Sequence, residues 1–450
     1  MDRDRRPFVG LLAAEGISLV GSRMSMVALP WFTLVLTGSA ARTGVVAFAE
    51  MLPYVLACAL GGPLIDRLGG RRTSVVTDLA SAAVLAAVPV LHLAGALGFG
   101  ALTGLVAVAG LLRGLSDTAK RVLFPETVAA AGIPMTRATS LHDGLSRLAT
   151  LLGAPLAGLL IAVLDAPTVL LLDAGTFLVG AAVVALGVPV RQSGADPGGG
   201  DSATPEEGDG GPDRESYLAA LRGGMHYLRR DRLVHGIVLM LLVTNFADAA
   251  YTSILAPVWA TEVAGSSTAL GLLTAAFALG AVLGNAVFTV VASRVPRFAV
   301  FAVGFLLAGA PRFVALAVLD RLWAVYLISF VAGVSVAAIN PILGAATFER
   351  IPERLRARVL GLTHAASWAG IPLGGLLGGL AVEQLRLPAA CLLLGAAYLV
   401  VTVLPFVLPV WRQLDQPATE ATGRSGPSVA PSPTPRSTEP AEEVRAGPPR

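Results

Sequence analysis

The sequence predicts an all-α membrane protein with twelve transmembrane helices in two pseudo-symmetric six-helix bundles. Three observations carry that expectation. Apolar residues fall into runs long enough to cross a bilayer, arginines gather on one side of those runs, and landmarks of the first half return in the second half in the same order.

A soluble domain carries about 25% charged residues, whereas this chain has 14% charged and 54% hydrophobic residues and a mean hydropathy of +0.72. A hydrocarbon core of about 30 Å is crossed by about twenty residues at 1.5 Å each. Runs such as 73–99 and 387–410 meet that length and lack the charged face of a surface helix. The spacing places spans at 8–36, 43–65, 73–97, 99–121, 140–164 and 167–188 in the first half. The second half gives 233–261, 268–292, 298–319, 322–347, 359–382 and 387–410. The basic start 1–6 leads into an apolar segment too long for a cleaved signal peptide.

Orientation follows from arginine. With twelve spans both termini share a side, and the segments on that side carry 26 of the 33 Lys and Arg, Lys120 among them. The opposite loops carry Arg42, Arg321 and Arg386. Basic residues stay cytoplasmic during insertion, so both termini and the central loop are expected in the cytoplasm. The Ala, Gly and Arg bias points to a high-GC bacterial source and a plasma-membrane location.

Four regions result: a six-helix bundle over 1–190, a cytoplasmic linker with an amphipathic helix over 191–232, a second bundle over 233–411, and a disordered cytoplasmic tail over 412–450. The linker is rich in Gly, Asp, Pro and Ser. Within 214–232, Tyr217, Leu218, Leu221, Met225 and Leu228 are expected to face lipid while arginines meet headgroups.

The repeat is read from spacing. Pro30 and Pro257, each followed closely by tryptophan (Trp31, Trp259), are 227 apart, as are Gly44 and Gly271, and Arg67 and Arg294. Gly153-Ala154-Pro155 and Gly370-Ile371-Pro372 are 217 apart. Duplicated halves with a site between them near the midplane are one architecture of secondary transporters.

Composition excludes other classes. Lys120 is the sole lysine, so the lysine-bearing loop that holds nucleotide phosphates is absent. A net charge of +3 does not suggest nucleic acid. Cys58 and Cys391 lie inside apolar runs and read as packing residues. His142, His235 and His364 are scattered without ligand partners, so no metal site, cofactor or catalytic constellation is expected.

Residues 62–72, Gly-Pro-Leu-Ile-Asp66-Arg67-Leu-Gly-Gly-Arg71-Arg72, resemble the G-x-x-x-D-R-x-G-R-R loop signature of the major facilitator superfamily, with one extra glycine. Arg113 resembles that family's buried arginine in span 4. Gly153 to Gly158 is similar to a shortened glycine-proline signature of drug:proton antiporters, with Ala-Pro in place of Gly-Pro. Pro125-Glu126, Leu172-Asp173-Ala174 and Glu349 to Glu353 resemble a macrolide and siderophore exporter subgroup. The resemblance implies alternating access by a small-molecule exporter without enzymatic activity, driven by protons and embedded as a monomer. It also implies a cytoplasmic charge latch of Asp66, Arg67, Arg71 and Arg72, which Asp78 in span 3 is placed to join.

Ionisable groups at membrane depth are costly and face an interior or a cavity. Glu15, Glu50 and Asp248 are the candidates for proton coupling, which needs a carboxylate whose proton affinity changes with access to water. Arg113, Asn245, Trp31, Trp259 and Asn340 are candidate cavity residues. Arg113 and Asp117, four apart, share a helix face and read either as a mutually neutralising pair or as a pair that substrate or proton exchange rearranges. Asp173 reads as an interhelical anchor. Gly153, Pro155, Gly158 and Pro372 are expected at close helix contacts and bends. The leading functional expectation is export of small hydrophobic or amphipathic molecules, drug-, macrolide- or siderophore-like, in exchange for protons, which would make the chain a multidrug antiporter. The alternative is an importer or facilitator of a small polar solute, which would call for more clustered mid-helix amides than this chain has.

Overall fold

The structure, a computed structural model, describes residues 5–188, 225–226, 228–291, 294–351, 359, 362–363 and 365–415. Most of the linker, Tyr217, Leu218 and Leu221, and the tail beyond residue 415 lie outside them. All regular structure among the described residues is helical.

The first half comprises α1 (Arg6–Thr37), α2 (Ala40–Leu60), the short α3 (Gly62–Leu68), α4 (Gly70–Leu93), α5 (Phe99–Ala131), α6 (Met135–Leu164) and α7 (Ala166–Gly187). The second half comprises α8 (Arg232–Glu262), α9 (Ser267–Val291), α10 (Arg297–Ala308), α11 (Ala310–Val318), α12 (Leu322–Val336), α13 (Ile339–Arg350) and α14 (Gly370–Val407). Among the described residues, eleven helical stretches are long and apolar enough to span a membrane. The last of them is interrupted at Arg386, whose φ of 65° divides it into two spans, which completes twelve.

Local chemistry sets the turns. Gly38, at φ 61°, ends α1 with its amide on the Leu34 carbonyl, and the Ser39 side chain caps α2 by accepting from the Arg42 amide. Asp165, at φ 79° and ψ 164°, separates α6 from α7 as a single residue. Arg386 adopts nearly the same angles between the last two spans. These are the two non-glycine residues with positive φ among the described residues, and each is followed two positions on by proline, Pro167 or Pro388. The halves are thus similar even at an unusual turn.

Two boundaries and one side chain's surroundings differ from the sequence reading. The second span ends at Leu60, because Gly61 turns the chain and the signature segment starts a separate short helix, α3. The fourth span continues to Ala131 instead of ending at 121. Lys120, counted above among the cytoplasmic basic residues, therefore lies inside the bundle and is 3% exposed. Leu228, expected to face lipid, is buried against Val234 and Val238, whose apolar side chains give it cover within the protein.

The repeat glycines hold the halves together. A Cβ on Gly44 of α2 would lie 2.6 Å from the Gly375 carbonyl oxygen of α14. A Cβ on Gly158 of α6 would lie 2.7 Å from the Gly271 Cα of α9. Gly44 and Gly271 are repeat partners, as are Gly158 and Gly375, so one contact is made twice about a pseudo-two-fold axis. Both lie toward the end of the bundle opposite the chain termini. Gly44→Val is expected to cost about 1–3 kcal/mol by overpacking and to favour conformers open at this end. Faster labelling of a Ser39→Cys reporter by a membrane-impermeant maleimide would show it; unchanged labelling would count against the contact as a gate.

Candidate functional site

Between the halves lies a cavity of about 400 Å³, lined from α1, α2, α8, α9, α11, α12 and α14. Most of its wall is apolar, including Met26, Met51, Leu270, Leu273 and Ile371. Its charged lining groups are Arg23, Glu50, Asp248 and Arg312. Of the proton-coupling candidates, Glu50 and Asp248 therefore reach the cavity. Glu15 does not line it; its carboxylate lies 3.1 Å from His142 Nδ1, between α1 and α6.

In the first half, Glu50 of α2 and Arg113 of α5 form an ion pair at 3.0 Å, with side chains 13% and 11% exposed. The approach depends on glycine. Gly110 sits against the Glu50 carbonyl, and a Cβ on Gly114 would stand 2.6 Å from the Tyr54 carbonyl, so the two backbones meet on either side of Arg113. The guanidinium also lies over the Tyr54 ring, 4.9 Å from its centroid. Tyr54 donates its hydroxyl to Asp117 at 3.0 Å. The direct Arg113–Asp117 pair considered from helix spacing is thus corrected. The neighbouring helix supplies Glu50, and Asp117 is engaged through Tyr54.

Asp173 joins α7 to α1, accepting hydrogen bonds from Ser25 and Thr176. Gly153 backs Arg23: a Cβ there would lie 2.6 Å from the Arg23 Cβ. Pro155 is half-buried within α6, and Pro372 is buried within α14.

In the second half, Asp248 of α8 accepts from Arg312 Nη2 at 2.6 Å. Arg312 also donates through Nε to the Ala308 carbonyl at 2.5 Å, across the break between α10 and α11. Its guanidinium lies between two rings, 4.9 Å from the Tyr251 centroid and 5.0 Å from that of Phe277. Tyr251 opens a π-helical turn, Tyr251–Leu255, within α8. Such turns are rare in helices and frequent at functional sites. Asn245, six residues before it, lines the cavity and donates to the Ser367 carbonyl at 3.0 Å.

Other sequence candidates stand elsewhere. Trp259 is fully buried against Tyr326, and Trp31 packs half-buried on the same core; neither lines the cavity. Asn340 is exposed on α13, away from the cavity lining. In the signature segment, Asp66 and Arg67 fall on α3, and Arg71 and Arg72 open α4. Arg71 donates to the Ala185 carbonyl of α7, and Arg72 is exposed. Asp78 does not join a surface latch. It is fully buried, 3.0 Å from Lys120 Nζ, and accepts from Ser116 at 2.5 Å. No group of three or more His, Cys, Asp or Glu placed to hold a metal occurs among the described residues.

The family model described as Major Facilitator Superfamily matches this chain over residues 11–250 and 237–448. A multidrug efflux pump, Tap, of Mycolicibacterium fortuitum is 30% identical over 422 residues, 91% of this chain and 98% of its own length. Tap of Mycobacterium tuberculosis is 28% identical over 423 residues, 92% of this chain and 96% of the relative. Among solved structures, a point mutant of the nucleoside transporter NupG gives a TM-score of 0.70 at 13% identity, over 89% of this chain and 99% of the other. A D-xylose–proton symporter gives 0.63 at 16% identity, over 89% and 97%. These two likenesses, at low identity, speak to the fold.

Proposed function

The chain belongs to the major facilitator superfamily, and we propose that it exports small hydrophobic or amphipathic molecules by alternating access in exchange for protons. The observation that carries the reading is the mostly apolar cavity between the halves, with Glu50 and Asp248 in its wall. The relatives named as multidrug efflux pumps, alike over nearly their whole length, support the direction and the cargo class. With both termini cytoplasmic, as the arginine distribution argues, the glycine contacts close the outer end. The latch of Asp66, Arg67, Arg71 and Arg72 belongs to the opposite, cytoplasmic face.

Glu50 is the proposed proton carrier. It lines the cavity and balances Arg113. A proton arriving on Glu50 removes that balance, and an unpaired buried cation is costly. Arg113 has a second carboxylate one helical turn away in Asp117, now held by Tyr54. Protonation therefore favours a rearranged pairing, and with it a different packing of α2 against α5. Proton and substrate compete because both reach the same cavity.

The test is proton release from proteoliposomes loaded with acid and a pH-sensitive dye, challenged with lipophilic cations, macrolides and siderophores. Substrate-triggered flux is expected in the wild type and its loss in Glu50→Gln, while Glu15→Gln retains it. Counterflow of labelled substrate without any proton movement in the wild type would leave a facilitator and overturn antiport.

A further inference from the structure

The two acid–arginine pairs at the cavity differ in what they leave free. Glu50 and Arg113 are both largely buried, whereas the Asp248 side chain is 40% exposed and its partner Arg312 only 7%. Arg312 is held by Asp248 Oδ1, the Ala308 carbonyl and two aromatic faces. Little of its charge is left for a ligand. Asp248 Oδ2 takes no hydrogen bond among the described residues, on a side chain that lines the cavity. The second half therefore offers the cavity a carboxylate oxygen rather than a guanidinium.

A donor stands beside it. Tyr251, three residues along α8 and touched by the same guanidinium, lines the cavity at 5% exposure. Its hydroxyl is buried and makes no well-formed hydrogen bond among the described residues, the Ser329 hydroxyl of α12 being within interaction range of it. A buried hydroxyl left unpaired costs free energy, so a group that accepts from it is favoured there. Ser329 of α12, 2% exposed and on the Tyr251 side of the cavity, contributes a second hydroxyl to the lining. The rest of the wall is largely apolar.

We propose that Asp248, Tyr251 and Ser329 form a recognition pole for an amphiphile whose head is a protonated amine with a hydrogen-bond-accepting oxygen beside it. The amine meets Asp248 Oδ2, the neighbouring oxygen accepts from Tyr251, and the apolar body lies along the leucine and methionine wall. This rests on the export reading and narrows its substrate class; it gives Glu50 the proton and Asp248 the cargo.

Equilibrium binding separates it from coupling, because no gradient is needed. The full chain in nanodiscs at pH 7.5 is titrated calorimetrically with 4-butylphenethylamine, its β-hydroxy derivative and 4-butylphenethyl alcohol. One charge-assisted hydrogen bond predicts an amine-over-alcohol preference of about 10-fold, and one neutral bond a β-hydroxy advantage of about 2- to 10-fold. Asp248→Asn, which keeps an oxygen for Arg312, is expected to erase the amine preference and spare alcohol binding. Asp248→Glu retains the preference, and Tyr251→Phe loses only the β-hydroxy advantage. An unchanged amine-to-alcohol ratio in Asp248→Asn, an equal loss for all three ligands, or no saturable binding to the wild type overturns the assignment. If binding follows this pattern while proton flux fails, only the antiport reading falls.

Discussion

Transport by a Ser39→Cys, Glu383→Cys variant, with Cys58→Ala and Cys391→Ala, is expected to stop when a short bismethanethiosulfonate bridges the two thiols. Reduction is expected to restore it. Ser39 caps α2 from the first half, and Glu383 belongs to the span of α14 that precedes Arg386 in the second. The Glu383 carboxylate accepts from the Ser39 hydroxyl at 3.1 Å and from the Ala41 amide at 3.3 Å. One acidic side chain thus serves two free donors at a helix N-terminus, where negative charge is favoured. Exposed contacts of this kind are individually weak. Their position is what matters, because they lie beside the Gly44–Gly375 packing that any opening at this end must separate. A bridge there ties the halves at one end while leaving the cavity untouched. Substrate binding should therefore persist while counterflow falls to the level of empty liposomes. Continued counterflow in the bridged protein would mean that α2 and α14 move as one body, with the opening elsewhere.

How much of this was legible in the chain depends on the range of the interaction. Span count and the pseudo-symmetric duplication follow from composition and spacing, because a bilayer imposes one length and one polarity on every helix. Gly44, Gly271 and Gly158 were readable as landmarks, yet their role as two copies of one contact required the halves to be brought together. Pairings between helices were out of reach. Helical periodicity reports which residues share a face, so it offered Arg113 with Asp117, while the nearer carboxylate belonged to α2. The π-helical turn at Tyr251 has no compositional mark, and no spacing rule placed Arg312 against its ring. The Asp165 and Arg386 turns had one faint sign, the proline two positions later. Tryptophan misled in the other direction: Trp259 is large and amphipathic, which suits a cavity, but its packing in the second bundle leaves no surface for one.

Lys120→Met is expected to be the most destabilising single change in the first bundle, and Asp78→Asn combined with it should recover most of the loss. Lys120 is the one lysine in a chain that otherwise uses arginine, and it is buried between α4 and α5 with its ammonium 3.0 Å from Asp78 Oδ2 and 3.3 Å from Oδ1. Asp78 is wholly buried, and α7 leaves room for it: a Cβ on Gly180 would stand 3.7 Å from its Oδ2. Removing one partner of a buried pair costs about 3–5 kcal/mol because the other charge is left uncompensated, whereas replacing both partners is often close to neutral. A compact ammonium suits a site closed by Ser116, one turn before Lys120 on α5, where the planar fork of arginine would need more width. Lys120→Arg should therefore lower the melting midpoint of the detergent-purified protein as well, by overpacking rather than by loss of charge. Thermal melts of the three single variants and the double variant check this directly. A double variant no more stable than Lys120→Met would mean that the loss does not come from leaving the Asp78 charge uncompensated.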